Sequence, residues 1–172
     1  MTRCTLRFFL LLVFALFWGG LTFYTGIAVR VAHRVLEDPM DGGLITQQVT
    51  RWLQWLGVAT VVLMLLNAWD VRQRSTRFGN ALAACTLALG IALAGLFHVH
   101  ERLDATIDVR GHEIVDRDAF TANHRRYNQL TTVEWLASVL YLGTTVAAWR
   151  RCDARPTSAV GHKQPTADPD GD

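Results

Sequence analysis

The chain has 172 residues, 51% of them hydrophobic, a formal net charge of +2 and a mean hydropathy of +0.18. That length fits one domain, and so small a charge excludes the broad basic field on which nucleic-acid binding relies. P-loop, dinucleotide-binding glycine and Gly-x-Ser-x-Gly patterns are absent, which argues against the common soluble-enzyme classes and leaves no catalytic residue to name.

The distribution of the apolar residues decides the class. Residues 8–29, 52–69, 78–97 and 135–149 contain no charged residue. An uncharged apolar run of about 18 residues or more crosses a hydrocarbon core about 30 Å thick. Three runs pass that length, and the fourth passes if its polar approach "NQLTTVE" lies at the interface. The fold class expected is therefore all-α, a four-helix transmembrane bundle, with spans of about 6–29, 52–70, 78–98 and 133–149 inside one domain, residues 1–152. Arg3 and Arg7 before the first run resemble a signal peptide, but the run is too long and "FWGGL" too bulky for cleavage.

In chain order, helix one is expected to hold its spacing past Arg34 until Pro39, where "EDPMDGG" reads as the clearest break. Helix two restarts near Thr46, a candidate N-cap, and enters the membrane at Trp52 and Trp55, residues suited to an interfacial belt. Helix three runs from about Gly79 without a breaker to Gly111, and a turn around "RGHEIV" leads to helix four, for which "DRD" offers N-caps. At 1.5 Å per residue these helices exceed the membrane thickness. Helices three and four, with the end of helix one, are therefore expected to project on the outer side as a polar cap. Gly19, Gly20, Gly26, Ala81, Ala84, Ala88, Gly90 and Ala92 are small enough for close helix packing. Residues 153–172, rich in Pro, Asp and Gly, read as a disordered cytoplasmic tail.

Orientation follows from Arg near the helix ends. The N-terminus (Arg3, Arg7), the second connection (Arg72, Arg74, Arg77) and the C-terminal flank (Arg150, Arg151, Arg155) are basic and fall on one side. The positive-inside rule places that side, and both termini, in the cytoplasm. Cys4, Cys85 and Cys152 then fall in the cytoplasmic half, as reduced thiols. A single Lys among 17 basic residues suggests a bacterial plasma (inner) membrane.

The chemistry-bearing residues gather at the outer ends of three helices. Arg30, His33 and Arg34 share a face of helix one, and His124, Tyr127, Asn128, Thr131 and Glu134 share a face of helix four. Arg30 and Glu134 are the deepest, and ionisable groups at that depth usually pair, so a structural ion pair between them is expected. Helix three contributes "FHVHERLDATID" at 97–108. His100 and Asp104 are spaced i, i+4, so with His98 and His124 they could ligate a divalent metal. A b-type haem between His98 and His33 or His124 is an alternative. An interfacial salt-bridge network is the simpler reading, and no cofactor is required by any motif. A proton or ion path would need Thr60, Asn67, Thr86, Thr144 and Thr145, a sparse set for a small transporter.

Residues 18–36, "WGGLTFYTGIAVRVAHRVL", together with the His-bearing approach to the last helix, "NHRRYNQLTTVEWLASVLYL", resemble the transmembrane-protein-205-like domain family. The resemblance rests on Gly19, Gly20, Arg30, His98, His124 and Tyr127. It implies four-helix integral membrane proteins and no particular reaction. The sequence therefore points to a membrane protein that acts through interaction or assembly. Its partners would be the bilayer and a second copy or another membrane protein, with metal or haem binding as the alternative.

Overall fold

A computed structural model describes residues 2–36, 38–108 and 113–154. The expected tail at 155–172 lies outside the described residues. Five α-helices account for nearly all of the rest: α1 (Arg3–Phe23), α2 (Val29–Val35), α3 (Pro39–Arg72), α4 (Thr76–Asp104) and α5 (Arg117–Asp153). A π-helical turn, Tyr24–Ala28, joins α1 to α2 without a break, so the pair forms one span. Four helices are thus long and apolar enough to cross a membrane. The 34 residues of α3 and 37 of α5 make rods of about 51 and about 55 Å at the α-helical rise.

Burial is distributed as a lipid solvent requires. Phe8, Leu16, Phe23 and Ile27 on the first span point outward, as do Val62 and Leu65 on α3, Leu87 and Ile91 on α4, and Leu140 on α5. Trp52 and Trp69 are both exposed on α3, and their 17-residue separation corresponds to about 25 Å along the helix. That is close to the thickness of a hydrocarbon core. The core holds Leu10, Phe14 and Phe17 of α1, Met64 and Val71 of α3, Leu82 and Leu89 of α4, and Tyr141 and Ala148 of α5.

The closest backbone packing is serial, with α1 against α3, α3 against α4, and α4 against α5, while α1 and α5 meet through side chains such as Phe14 on Tyr141 and Trp18 on Trp135. Glycine sets the closest approaches. A Cβ at Gly57 would lie 3.0 Å from Phe17 and 3.2 Å from Leu93, and one at Gly95 would lie 3.0 Å from Leu130. Of the small residues expected to mark packing faces, Gly20 meets Leu53 and Ala92 is buried. Gly19, Gly26 and Gly90 have nothing within 4 Å, and Ala81, Ala84 and Ala88 are exposed. Small size permits an approach but does not direct one.

Three boundaries differ from the sequence reading. The first span ends at Val35, and Leu36 is already extended. Helix α3 starts at Pro39, not near Thr46, because proline suits a first helical position, where its missing N–H would be unpaired anyway. The Gly pair that read as a turn is helical, and Gly42 is buried with Leu36 and His33 within 4 Å of where its Cβ would sit. Thr46 sits inside the helix, donating to the Gly42 carbonyl at 2.8 Å. Helix α4 stops at Asp104 rather than Gly111. Thr106 turns back onto the Leu103 carbonyl through both its N–H, 3.0 Å, and its hydroxyl, 2.7 Å, a local bond that competes with helix continuation. A two-residue antiparallel ladder follows, β1 (Ile107–Asp108) on β2 (Glu113–Ile114). Helix α5 then starts on Asp116, whose carboxylate accepts the Ala119 N–H at 2.9 Å.

The tight α3–α4 turn gives a test of this packing. A Cβ at Gly79 would lie 2.5 Å from the Arg72 Cα, a backbone atom that cannot rotate away. Gly79→Ala is expected to cost about 1–3 kcal/mol, whereas Gly90→Ala, with open space around it, stays within about 0.5 kcal/mol. Unfolding of the two variants in one detergent or lipid system measures the difference.

Candidate functional site

Two polar layers lie inside the bundle. At the end that carries the termini, Asn67 and Tyr141 are each 1% exposed. The Asn67 amide donates to the Tyr141 hydroxyl at 2.8 Å, Tyr141 donates to the Met64 carbonyl at 3.2 Å, and the Trp149 indole donates to the Asn67 carbonyl oxygen at 2.9 Å. Below this network, Arg7 forms a two-pronged pair with Asp153 at 2.7 and 2.9 Å, and Arg74 one with Asp70 at 2.8 and 3.1 Å. The Arg7 guanidinium also lies 4.8 Å above the Trp149 ring. Asn67, Tyr141 and Trp149 are matched with one another, the arrangement a structural clasp needs, while Arg7 Nε and Thr145 Oγ1 at this end have no partner.

The layer at the opposite, distal end is built differently. Asp104, the last residue of α4, accepts from the Gln47 amide and from Arg51 at 3.2 Å, both on α3, and lies 3.7 Å from His100 Nε2 one turn back. His100 is 7% exposed, and its ring is 6.5 Å from that of Tyr127 on α5. The Tyr127 hydroxyl approaches the side chains of Thr50 and Gln54 on α3, with Glu134 and Tyr24 in its electrostatic surroundings. Gln54 is 3% and Glu134 2% exposed. Neither amide atom of Gln54, nor His100 Nε2, nor Glu134 Oε1 has a hydrogen-bond partner. These four buried atoms belong to α3, α4 and α5.

The residues singled out from the sequence divide between inside and outside. His100 and Asp104 are brought together. His98, two positions from His100, is exposed, because residues two apart on a helix face different ways. His124 is exposed and stacks on Phe120, centroids 5.9 Å apart at 13°. His33 is exposed and bonds the Val29 carbonyl at 2.8 Å. Among the described residues no group of three or more His, Cys, Asp or Glu has an arrangement that could hold a metal ion. Arg30 is exposed while Glu134 is buried, and no ion pair among the described residues joins them. Arg30 lies nine positions beyond the buried Leu21, a spacing that at about 100° per residue already points away from the core face of the first span.

Sequence reasoning named Thr60 and Asn67 on α3 but passed over Gln54. Its signal was an amide in an uncharged run, with Gln47 seven residues earlier and Thr50 and Arg51 between them. This polar stripe, spaced by about one turn, is what faces His100 and Tyr127.

A family model described as a domain of unknown function (DUF4149) matches residues 12–112. The chain belongs to this family. The match spans α1 from Leu12 through α4 and into the distal hairpin, so it covers Gln54 and His100, while Tyr127 and Glu134 lie beyond it on α5. It identifies an uncharacterised domain, and the finer likeness to the transmembrane-protein-205-like family is not part of what it shows. No curated protein and no solved structure matches the chain.

Asp104 is the joint between α3 and α4 at the distal end, and its removal strands Gln47, Arg51 and His100 together. Asp104→Ala is expected to destabilise that end by about 1 kcal/mol, since of its three partners only His100 is buried. Hydrogen exchange should quicken over residues 44–51 and 100–106 while the Asn67–Tyr141 layer keeps its protection.

Proposed function

We propose that this is a multi-pass plasma-membrane protein, both termini cytoplasmic, that acts by binding a protein partner through the polar cap its long helices project on the outer side. The observation that carries this reading is the outer end of α5. Phe120, Thr121, His124, Arg125, Asn128, Gln129 and Thr132 line a shallow groove of about 440 Å³ on that one helix. The groove mixes an aromatic ring, a cation and amide hydrogen-bonding groups, the residue types from which polar interfaces are assembled. The seven arginines among residues 3–7, 72–77 and 150–151 at the termini end support the cytoplasmic assignment of that end.

Two measurements test this. A membrane-impermeant maleimide should label Asp118→Cys in intact cells, and reach Cys4 only after the membrane is opened; the reverse pattern overturns the topology. A photo-crosslinking residue placed at His124 or Asn128 should capture one discrete partner, either another protein or a second copy of this chain. The same probe at Leu140, exposed to lipid, serves as the control. Equal, diffuse adducts at both positions would end the binding reading.

A metal-linked second reading is favoured by one contact, the 3.7 Å approach of His100 Nε2 to Asp104, which offers two donors of the kind divalent metals use. Near-stoichiometric metal in the purified protein, lost in His100→Ala, would establish it; a metal-free protein would remove it.

A further inference from the structure

Glu134 stands apart from every other carboxylate whose contacts have been described. It is 2% exposed, its Oε1 has no hydrogen-bond partner, and among the described residues no ion pair involves it. The other anionic partners, Asp70, Asp104 and Asp153, all meet arginines. A carboxylate charge taken out of water without a partner costs several kcal/mol, so this site calls for one positive charge that the protein itself does not supply.

The surroundings are acceptors for such a charge. Gln54, 3% exposed, turns an unused carbonyl oxygen and an unused amide into the same interior, and the Tyr127 hydroxyl lies near Gln54 and within the electrostatic reach of Glu134. The hydroxyls of Thr50 and Ser138 donate to their own helix carbonyls at 2.8 Å, so towards the interior they offer only lone pairs. On α4, His100 is paired with Asp104 and shares that partner with Arg51 of α3. Phe17, Met64 and Leu89 are fully buried in the core.

We propose that Glu134, with Gln54 and Tyr127, forms a buried binding site for one small monovalent cation, loaded from the distal end of the bundle past His100. Two sources supply that chemistry, a proton from water or an alkali ion, and both neutralise the same carboxylate. The site is independent of the α5 groove, since its residues lie inside the bundle and the groove residues outside it.

Difference infrared spectroscopy on the full chain in lipid nanodiscs tests the site, reading the carboxyl stretch that disappears in Glu134→Gln. A Glu134 band that titrates with pH, shifts in D₂O and ignores added salt assigns the proton. A band that is suppressed at constant pH by sodium or potassium chloride, but not by choline chloride, assigns the alkali ion. A signal that neither titrates, responds to salt nor exchanges in D₂O overturns the site, leaving Glu134 a sealed structural group. Gln54→Leu retains the carboxyl and keeps the test open should Glu134→Gln fail to fold. It should shift the midpoint of the same transition about tenfold in proton or cation concentration. An unmoved midpoint removes Gln54 from the site.

Discussion

Hydrocarbon offers no water to a polar group, and this constraint shapes most of the molecule. Backbone N–H and C=O groups at membrane depth must be satisfied within the chain, which leaves helices as the economical solution. Side-chain hydroxyls solve the same problem locally. Thr25, Thr60, Thr86, Ser138 and Thr144 each donate to the carbonyl four residues back at 2.8 Å. Such residues add no cross-helix bond and cost little to bury. The larger polar groups cannot satisfy themselves in this way, so their positions reveal where helices must meet.

They meet in two layers with opposite characters. At the termini end, Asn67 on α3 and Tyr141 and Trp149 on α5 close a network in which amide, hydroxyl and indole are matched, and the Arg7–Asp153 and Arg74–Asp70 pairs lock the helix ends beneath it. At the distal end, His100 and Asp104 are tied to α3, but Gln54 and Glu134 retain unused hydrogen-bonding capacity in the interior. Buried polar groups left open in this way are costly, and they persist where a ligand, an ion or water completes them. Phe17, Met64 and Leu89 are fully buried in the core of the bundle.

Particular residues show where sequence reasoning carries and where it stops. The four spans follow from run length alone, and Asp116 caps α5 as a short acidic segment before a helix should. Pro39 and the Gly42–Gly43 pair were misread, because the same residues that end one helix can begin the next, and Gly42 is held by contact with Leu36 and His33 rather than by a turn. The π turn at Tyr24–Ala28 carries no mark in the sequence. His98 and His100 stand on different faces of α4, one exposed and one buried, since residues two apart on a helix face different ways. Gln54 was visible as an amide in an uncharged run, but its importance depends on His100, Tyr127 and Glu134, which arrive from 46 to 80 positions away.

What the sequence determined by itself is the solvent: four uncharged runs separated by polar connections commit the chain to a bilayer, because hydropathy and span length are local properties. What only the tertiary structure decided is which polar residues meet. That depends on helix rotation and on the serial packing of α1, α3, α4 and α5, and both are set by close contacts such as Gly57 on Phe17 and Leu93 and Gly95 on Leu130. A rotation of one residue, about 100°, separates a lipid-facing side chain from a buried one, and only packing across helices fixes it.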